Sequence, residues 1–181
     1  MSWNIDPSHS TIGFTVKHMM FTTVRGQFDK FEGTIDFDSD DPLGSTAAGT
    51  VDVNSIDTND TDRDNHLRSA DFFDVATYPN ISFKSTRIER VGDNNYKVYG
   101  DFTIKDVTHE IVWDVKDNGQ GQDPWGNQRR ALSATTSISR KDYGITWNVG
   151  LETGGWLVGD TVNLSAEVQL VLATEEAGVT A

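Results

Sequence analysis

No cysteine occurs in the 181 residues, so disulfides, thiolate nucleophiles and thiolate-held zinc or iron–sulfur centres are excluded. Basic residues are scarce: 15 Lys and Arg stand against 28 Asp and Glu, a formal net charge of −13. A surface of that sign repels a phosphate backbone, and nucleic acid is not an expected partner. No stretch reaches the ~18 uninterrupted apolar residues of a membrane-crossing helix, so no transmembrane segment is expected. The opening Met1-Ser2-Trp3-Asn4-Ile5-Asp6 has neither a basic nor an apolar leader region. That points to the cytoplasm, or to the periplasm if a leader has been removed.

Other chemistries lack their residues too. The four histidines are His9, His18, His66 and His109, and no two share the spacing that aims both rings at one metal. No metal is expected. Gly-x-Ser-x-Gly, Gly-x-Gly-x-x-Gly and P-loop patterns are missing, so no cofactor has a visible seat. Asp6, Ser8 and His9 supply the residue types of a triad, but they read as turn residues around Pro7. The run Asp57, Asn59, Asp60, Asp62, Asp64 departs from a calcium loop at its sixth and twelfth positions, Asn65 and Asp71.

What the chain does have is a period of two. Ile12, Phe14, Val16 and His18 alternate with polar residues, as do Ala47 to Val53, Tyr96 to Ile104, Val107 to Val115, Leu132 to Ile138 and Val162 to Leu172. The phase slips near Asp29 and Lys30, where a β-bulge is expected. Lys105-Asp106 reads as a tight hairpin turn. About eight strands result, which predicts an all-β fold, a single antiparallel barrel with room for side chains or one ligand inside. One short helix is expected near residues 62–70, capped by Thr61 or Asp62, with Phe72 and Phe73 plugging a barrel mouth. Residues 117–130 and 148–160 read as long glycine-bearing loops, either of which could be a lid. One domain over 1–172 is expected, with a frayed tail at 173–181.

The alternation puts Phe14, Val16, Phe83 and Phe102 on lumen-facing positions, and likewise Ile111, Trp113 and Ile138. His18 closes the first apolar series, where its ring could meet a polar head group or hydrogen-bond a neighbouring loop. His109 shares a face with Ile111 and Trp113 and reads as a core histidine. Arg140 either pairs with Asp142 or reaches an anionic ligand.

Several blocks carry a family resemblance. Asp6-Pro7-Ser8-His9-Ser10 followed by Phe14-Thr15-Val16-Lys17-His18 resembles the opening of the YceI-like, lipocalin-like family of polyisoprenoid-binding proteins. Val24-Arg25-Gly26-Gln27-Phe28, the stretch from Asp64 to Asp74, Tyr78-Pro79, Phe102-Thr103-Ile104-Lys105, Arg140-Lys141-Asp142-Tyr143-Gly144 and Val158-Gly159-Asp160 follow in the same order. Asp106 departs from the glycine frequent there. The resemblance implies a lipocalin-like barrel with an elongated apolar pocket, a carrier of isoprenoids, quinones or similar amphiphiles, and no enzyme. Its expected partner is a lipid-like small molecule, with room for a homodimer. Two other readings are a small hydrolase or isomerase working through His18 or His109, and a structural or stress-related module with a filled barrel.

Overall fold

The structure, a computed structural model, describes residues 1–38 and 40–174. The alternating segments form β1 (Ser2–Ile5), β2 (Thr11–His18), β3 (Thr22–Phe28), β4 (Phe31–Asp36), β5 (Thr46–Asp52) and β6 (Ile56–Asp57). Helix α1 (Thr61–Arg68) follows, then β7 (Asn80–Arg90), β8 (Asn95–Ile104), β9 (Val107–Gln122), β10 (Gln128–Ser139) and β11 (Val158–Leu172). All neighbours pair antiparallel, and β1 pairs with both β4 and β11, which closes the sheet on itself. β1 and β2 lie end to end along β11, and β3–β4 and β5–β6 likewise run as broken strands side by side. The segments therefore make a closed barrel of 8 staves, a size that holds packed side chains or one ligand. Helix α1 and the 3-10 turn Arg140–Tyr143 sit at one end, and the β7–β8 and β9–β10 hairpins at the other.

Each interruption has a local cause. Pro7 has no N–H to give the ladder, and Asp6 turns the chain by accepting the Ser8 N–H at 3.0 Å. Ser10 Oγ then accepts the Gln169 N–H at 2.9 Å, so a side chain carries the ladder across the gap. Near Asp29 and Lys30 the expected one-residue bulge is instead a break between β3 and β4. The facing stave breaks too, at the 3-10 turn Val53–Ser55, and Ser55 takes both orphaned donors, Asp29 N–H on its carbonyl at 3.2 Å and Lys30 N–H on its Oγ at 3.0 Å. Register shifts of the bulge kind occur between Ser85 and Arg87, Ala131 and Leu132, and Val158 and Val162.

Three other elements differ from the sequence expectation. The cap of α1 is Asp60, whose side chain accepts the Arg63 N–H at 3.1 Å, because Asn59 at φ 66° turns the chain before Thr61. The helix stops at Arg68, where Ser69 Oγ donates to the His66 carbonyl at 2.6 Å. Residues 117–130 are mostly ladder: Gly119, at φ 109°, absorbs a bulge, and only 123–127 turn. Residues 148–157 do lie outside the main ladder, folded on themselves by the bridge Gly150 to Trp156 and tied to the barrel by the Asn148 side chain on Val158 and the Met19 N–H on the Leu157 carbonyl. The expected fraying of the tail falls, from residue 175 on, outside the described residues.

The β8–β9 turn places Lys105 at φ 52° and Asp106 at φ 59°, the left-handed pair that a two-residue hairpin requires. A β-branched residue is strained there. Asp106→Val is expected to lower stability by about 1–2 kcal/mol in urea unfolding, while Asp106→Gly leaves it unchanged or raises it. Equal effects from the two would show that the turn conformation is not what position 106 is selected for.

On the outer surface Arg129 reaches Asp6 and Asp123, both at 2.7 Å, pinning the β9–β10 hairpin to the N-terminal stave. Hydrogen bonds from Ser8, Arg129 and His9 hold the Asp6 carboxyl well below the usual carboxylate range, and Arg129 and Asn127 do the same for Asp123. A pKa lower in the folded than in the unfolded chain adds stability above the ordinary value of about 4, and that stability is lost as pH falls through the folded values. The melting temperature should thus fall steeply below about pH 4. Asp6→Asn/Asp123→Asn should melt lower at pH 7 yet lose much of that acid slope; an unaltered slope would assign it to other carboxylates.

Candidate functional site

The interior is hollow along its length. Inward rows of every stave border one continuous cavity of about 340 Å³, from Trp3, Phe37 and Arg130 at the hairpin end to Arg140, Ile145 and Phe72 at the α1 end. That lies within the roughly 300–1,000 Å³ of ligand pockets. Fully buried side chains gather toward the α1 end, where Phe28, Val53, Ile56, Phe72, Ile104 and Ile145 belong to one cluster. Elsewhere Phe14, Val16, Leu132, Ala134, Val162 and Leu164 point inward and are still only half-buried. An inward apolar residue keeps accessible surface only when nothing fills the space it faces.

Glycines make the space. A Cβ at Gly26 would stand 2.2 Å from the Phe14 ring, and one at Gly100 would stand 2.4 Å from the Phe83 ring. Both phenylalanines therefore lie flat on bare backbone of the next strand, a cross-strand aromatic–glycine device. The rings cover the wall and leave the axis free. At the α1 end Phe72 packs against Trp147 and His66, with centroids at 5.3 and 5.0 Å, and His66 meets Trp147 at 4.7 Å. Phe72 and Phe73 both line the lumen there, so the connection after α1 is a plug with an aromatic inner face.

Of the sequence-derived candidates, Phe14, Val16, Phe83, Phe102, Trp113, Ile138 and Arg140 all border the cavity. Ile111 packs against the buried cluster from partly buried ground and is not among the lining residues. His18 is not in the lining either; it is the last residue of β2, paired with Val158 and Thr22 beside the β2–β3 turn. His109 is exposed, not a core residue: it stands near the start of β9 at the barrel rim, where its Nε2 is 2.8 Å from the Asp142 carbonyl of the turn after β10. Its ring stands edge-on to Tyr143 at 5.1 Å. Burial pushes the Tyr143 hydroxyl pKa up to about 12.

Arg140 is 4% exposed and spends itself on the protein. Its Nε donates to the Gly159 carbonyl at 2.8 Å, Nη1 to the Ile145 and Trp147 carbonyls at 2.9 Å each, and Nη2 to that of Val158 at 3.3 Å. Its carboxylate partner is Asp160 at 3.6 Å, not Asp142. Burial pulls its pKa below the ordinary arginine value, and Asp160 opposes that. This arginine splices residues 144–157 onto β11 with four of its five N–H groups, and the fifth belongs to Nη2, the atom that faces Asp160.

The residues missed from the sequence stand at the other end. Arg130 and Asp117 both line the lumen and form an ion pair with side chains 15% and 11% exposed. The Arg130 guanidinium lies 4.1 Å over the Phe37 ring. Trp3, 3% exposed, borders the same end, and its buried Nε1–H has no partner among the described residues. The signal was present: Arg130, Leu132 and Ala134 share the parity of Ile138, and the glycine-rich look of 117–130 hid it.

No catalytic relay is assembled by the N-terminal Ser8, His9 and Asp6. Ser8 Oγ and Asp6 Oδ2 approach the same ring nitrogen, His9 Nδ1, at 3.1 and 2.9 Å, whereas a relay needs the two opposite nitrogens. The group caps the turn at Pro7.

A closed antiparallel barrel around an apolar lumen, plugged by a helical connection, places the molecule among lipocalin-like binding folds. The YceI-like domain family matches residues 3–170, and the chain belongs to that family. A UPF0312 protein of Pectobacterium atrosepticum is 37% identical over 167 residues, 92% of this chain and 80% of that protein. The crystal structure of Burkholderia cenocepacia BcnA superposes with a TM-score of 0.79 at 26% identity, covering 94% of this chain and 99% of that one. A polyisoprenoid binding domain from Saccharophagus degradans, implicated in plant cell wall breakdown, superposes at 0.72 with 16% identity, over 94% and 98% of the two chains. At that identity the shared feature is the fold.

The glycine device predicts its own failure. Gly26→Ala should swing the Phe14 ring off the wall into the lumen, cutting uptake of an apolar fluorescent probe several-fold while the β-sheet circular dichroism is retained. Unchanged uptake would mean that the ring finds room elsewhere.

Proposed function

We propose that this chain binds a long-chain, lipid-like amphiphile of the polyisoprenoid or isoprenoid-quinone kind in the barrel lumen and acts as its carrier, without catalysis. The observation that carries the reading is the row of inward, apolar, half-buried side chains around a 340 Å³ cavity. Membership of the YceI family and the likeness to a polyisoprenoid binding domain support it. Each buried methylene contributes roughly 0.8 kcal/mol, so about ten give a gross ~8 kcal/mol before ordering costs. Micromolar binding then needs little help from polar contacts. A hydrolase or isomerase reading is disfavoured because neither His18 nor His109 lines the lumen. A filled-barrel interaction module is disfavoured by the cavity itself.

Native mass spectrometry of the purified protein, with organic extraction, should release a lipid-like species, or the emptied protein should take up an isoprenoid probe. Ala134→Phe, which fills the middle of the lumen, should abolish uptake without unfolding the barrel. Wild-type protein that carries no lipid and takes up neither isoprenoid nor fatty probes would sink the proposal.

A further inference from the structure

The lumen has a charged side chain toward each end, and the two are not equivalent. Arg140, at the α1 end, has four of its five donors committed to backbone carbonyls and its Nη2 facing Asp160. Arg130, at the hairpin end, donates only from Nε and Nη2, both to Asp117 Oδ2. Among the described residues its Nη1 has no hydrogen-bond acceptor, yet its side chain is 15% exposed and borders the cavity. Phe37 stacks on one face of the guanidinium and Asp117 holds one edge, so the group is fixed in place with its other edge unspent.

Resting on the binding reading above, we infer that the edge of Arg130, held by Asp117 and Phe37, is the head-group subsite of the lumen. A bound amphiphile then lies with its tail toward Phe72 and Phe73 and an oxygen acceptor at Arg130. The charge balance selects the head group. Arg130 and Asp117 already neutralise one another, so a phosphate or carboxylate would bring an uncompensated negative charge beside Asp117 in an apolar cavity. The acidic surface, net −13, opposes the same charge at longer range. A neutral carbonyl, as in a quinone, an ester or an amide, accepts the free N–H without that cost. The ligand class is therefore a long-chain amphiphile with a neutral, carbonyl-bearing head.

Three probes with one tail separate the terms: decyl-benzoquinone, decyl phosphate and decane, titrated into the emptied full-length protein by tryptophan fluorescence, with calorimetry as a check. The quinone should bind about tenfold tighter than decane, and decyl phosphate no tighter than decane. In Arg130→Met/Asp117→Leu, which removes the pair together and leaves no buried charge unpartnered, the quinone preference should fall to within about twofold while decane binding is kept. Circular dichroism and retained decane binding report that the variant is folded. A quinone preference that survives in the variant, decyl phosphate binding tighter than the quinone in the wild type, or no head-group preference at all overturns the inference and leaves lipid binding standing. Failure of every probe to bind the wild type overturns the binding reading itself, and this inference with it.

Discussion

The hydrogen bonds that the β1–β2 stave makes to β11 on one side and to β3–β4 on the other close the sheet, and the lumen exists because of them. Without that stave the barrel has two free edges and an open apolar face, which in water would collapse or pair with another chain. With it, every inward residue faces only other inward residues across the axis. An eight-stave circumference leaves the choice of interior to the side chains. Here glycines beneath Phe14 and Phe83 let large rings lie along the wall, so apolar lining and empty space coexist.

The same closure explains why charges inside the barrel behave so differently at its two ends. Near α1 the chain leaves the ladder for residues 144–157, and the carbonyls left without strand partners are gathered by one buried guanidinium, Arg140. That arginine is structural by arithmetic of donors and acceptors. Near the hairpins the ladder runs on to Gln122 and Gln128, the carbonyls are satisfied by strands, and Arg130 has only Asp117 to serve.

Much of this was legible in the sequence. The period of two gave the barrel, the Lys105-Asp106 pair gave its hairpin, and the Phe72-Phe73 pair gave the plug, because each depends on residues adjacent in the chain. The features that escaped depend on distant ones. The break at Asp29 and Lys30 is set by Ser55 on the facing stave, and the partner of Arg140 is Asp160, placed beside it by the β10–β11 pairing that sets Ser139 opposite Thr161. His18 follows the apolar parity of β2, but it is the last residue of that strand and falls outside the cavity lining, which no local pattern records. The lumen end at Arg130 was hidden by glycines that serve a bulge in place of a loop.

Three neighbouring staves, β1–β2, β3–β4 and β5–β6, are each broken once, at Pro7, at Asp29–Lys30 and at Val53–Ser55, and side-chain oxygens of Ser10 and Ser55 bridge part of the missing ladder. A serine bond of that kind is easier to release than a run of paired strands, and opening in proteins begins where main-chain pairing is thinnest. The barrel thus carries a seam down one side. Along it the wall has less main-chain pairing to give up than across the five unbroken staves opposite.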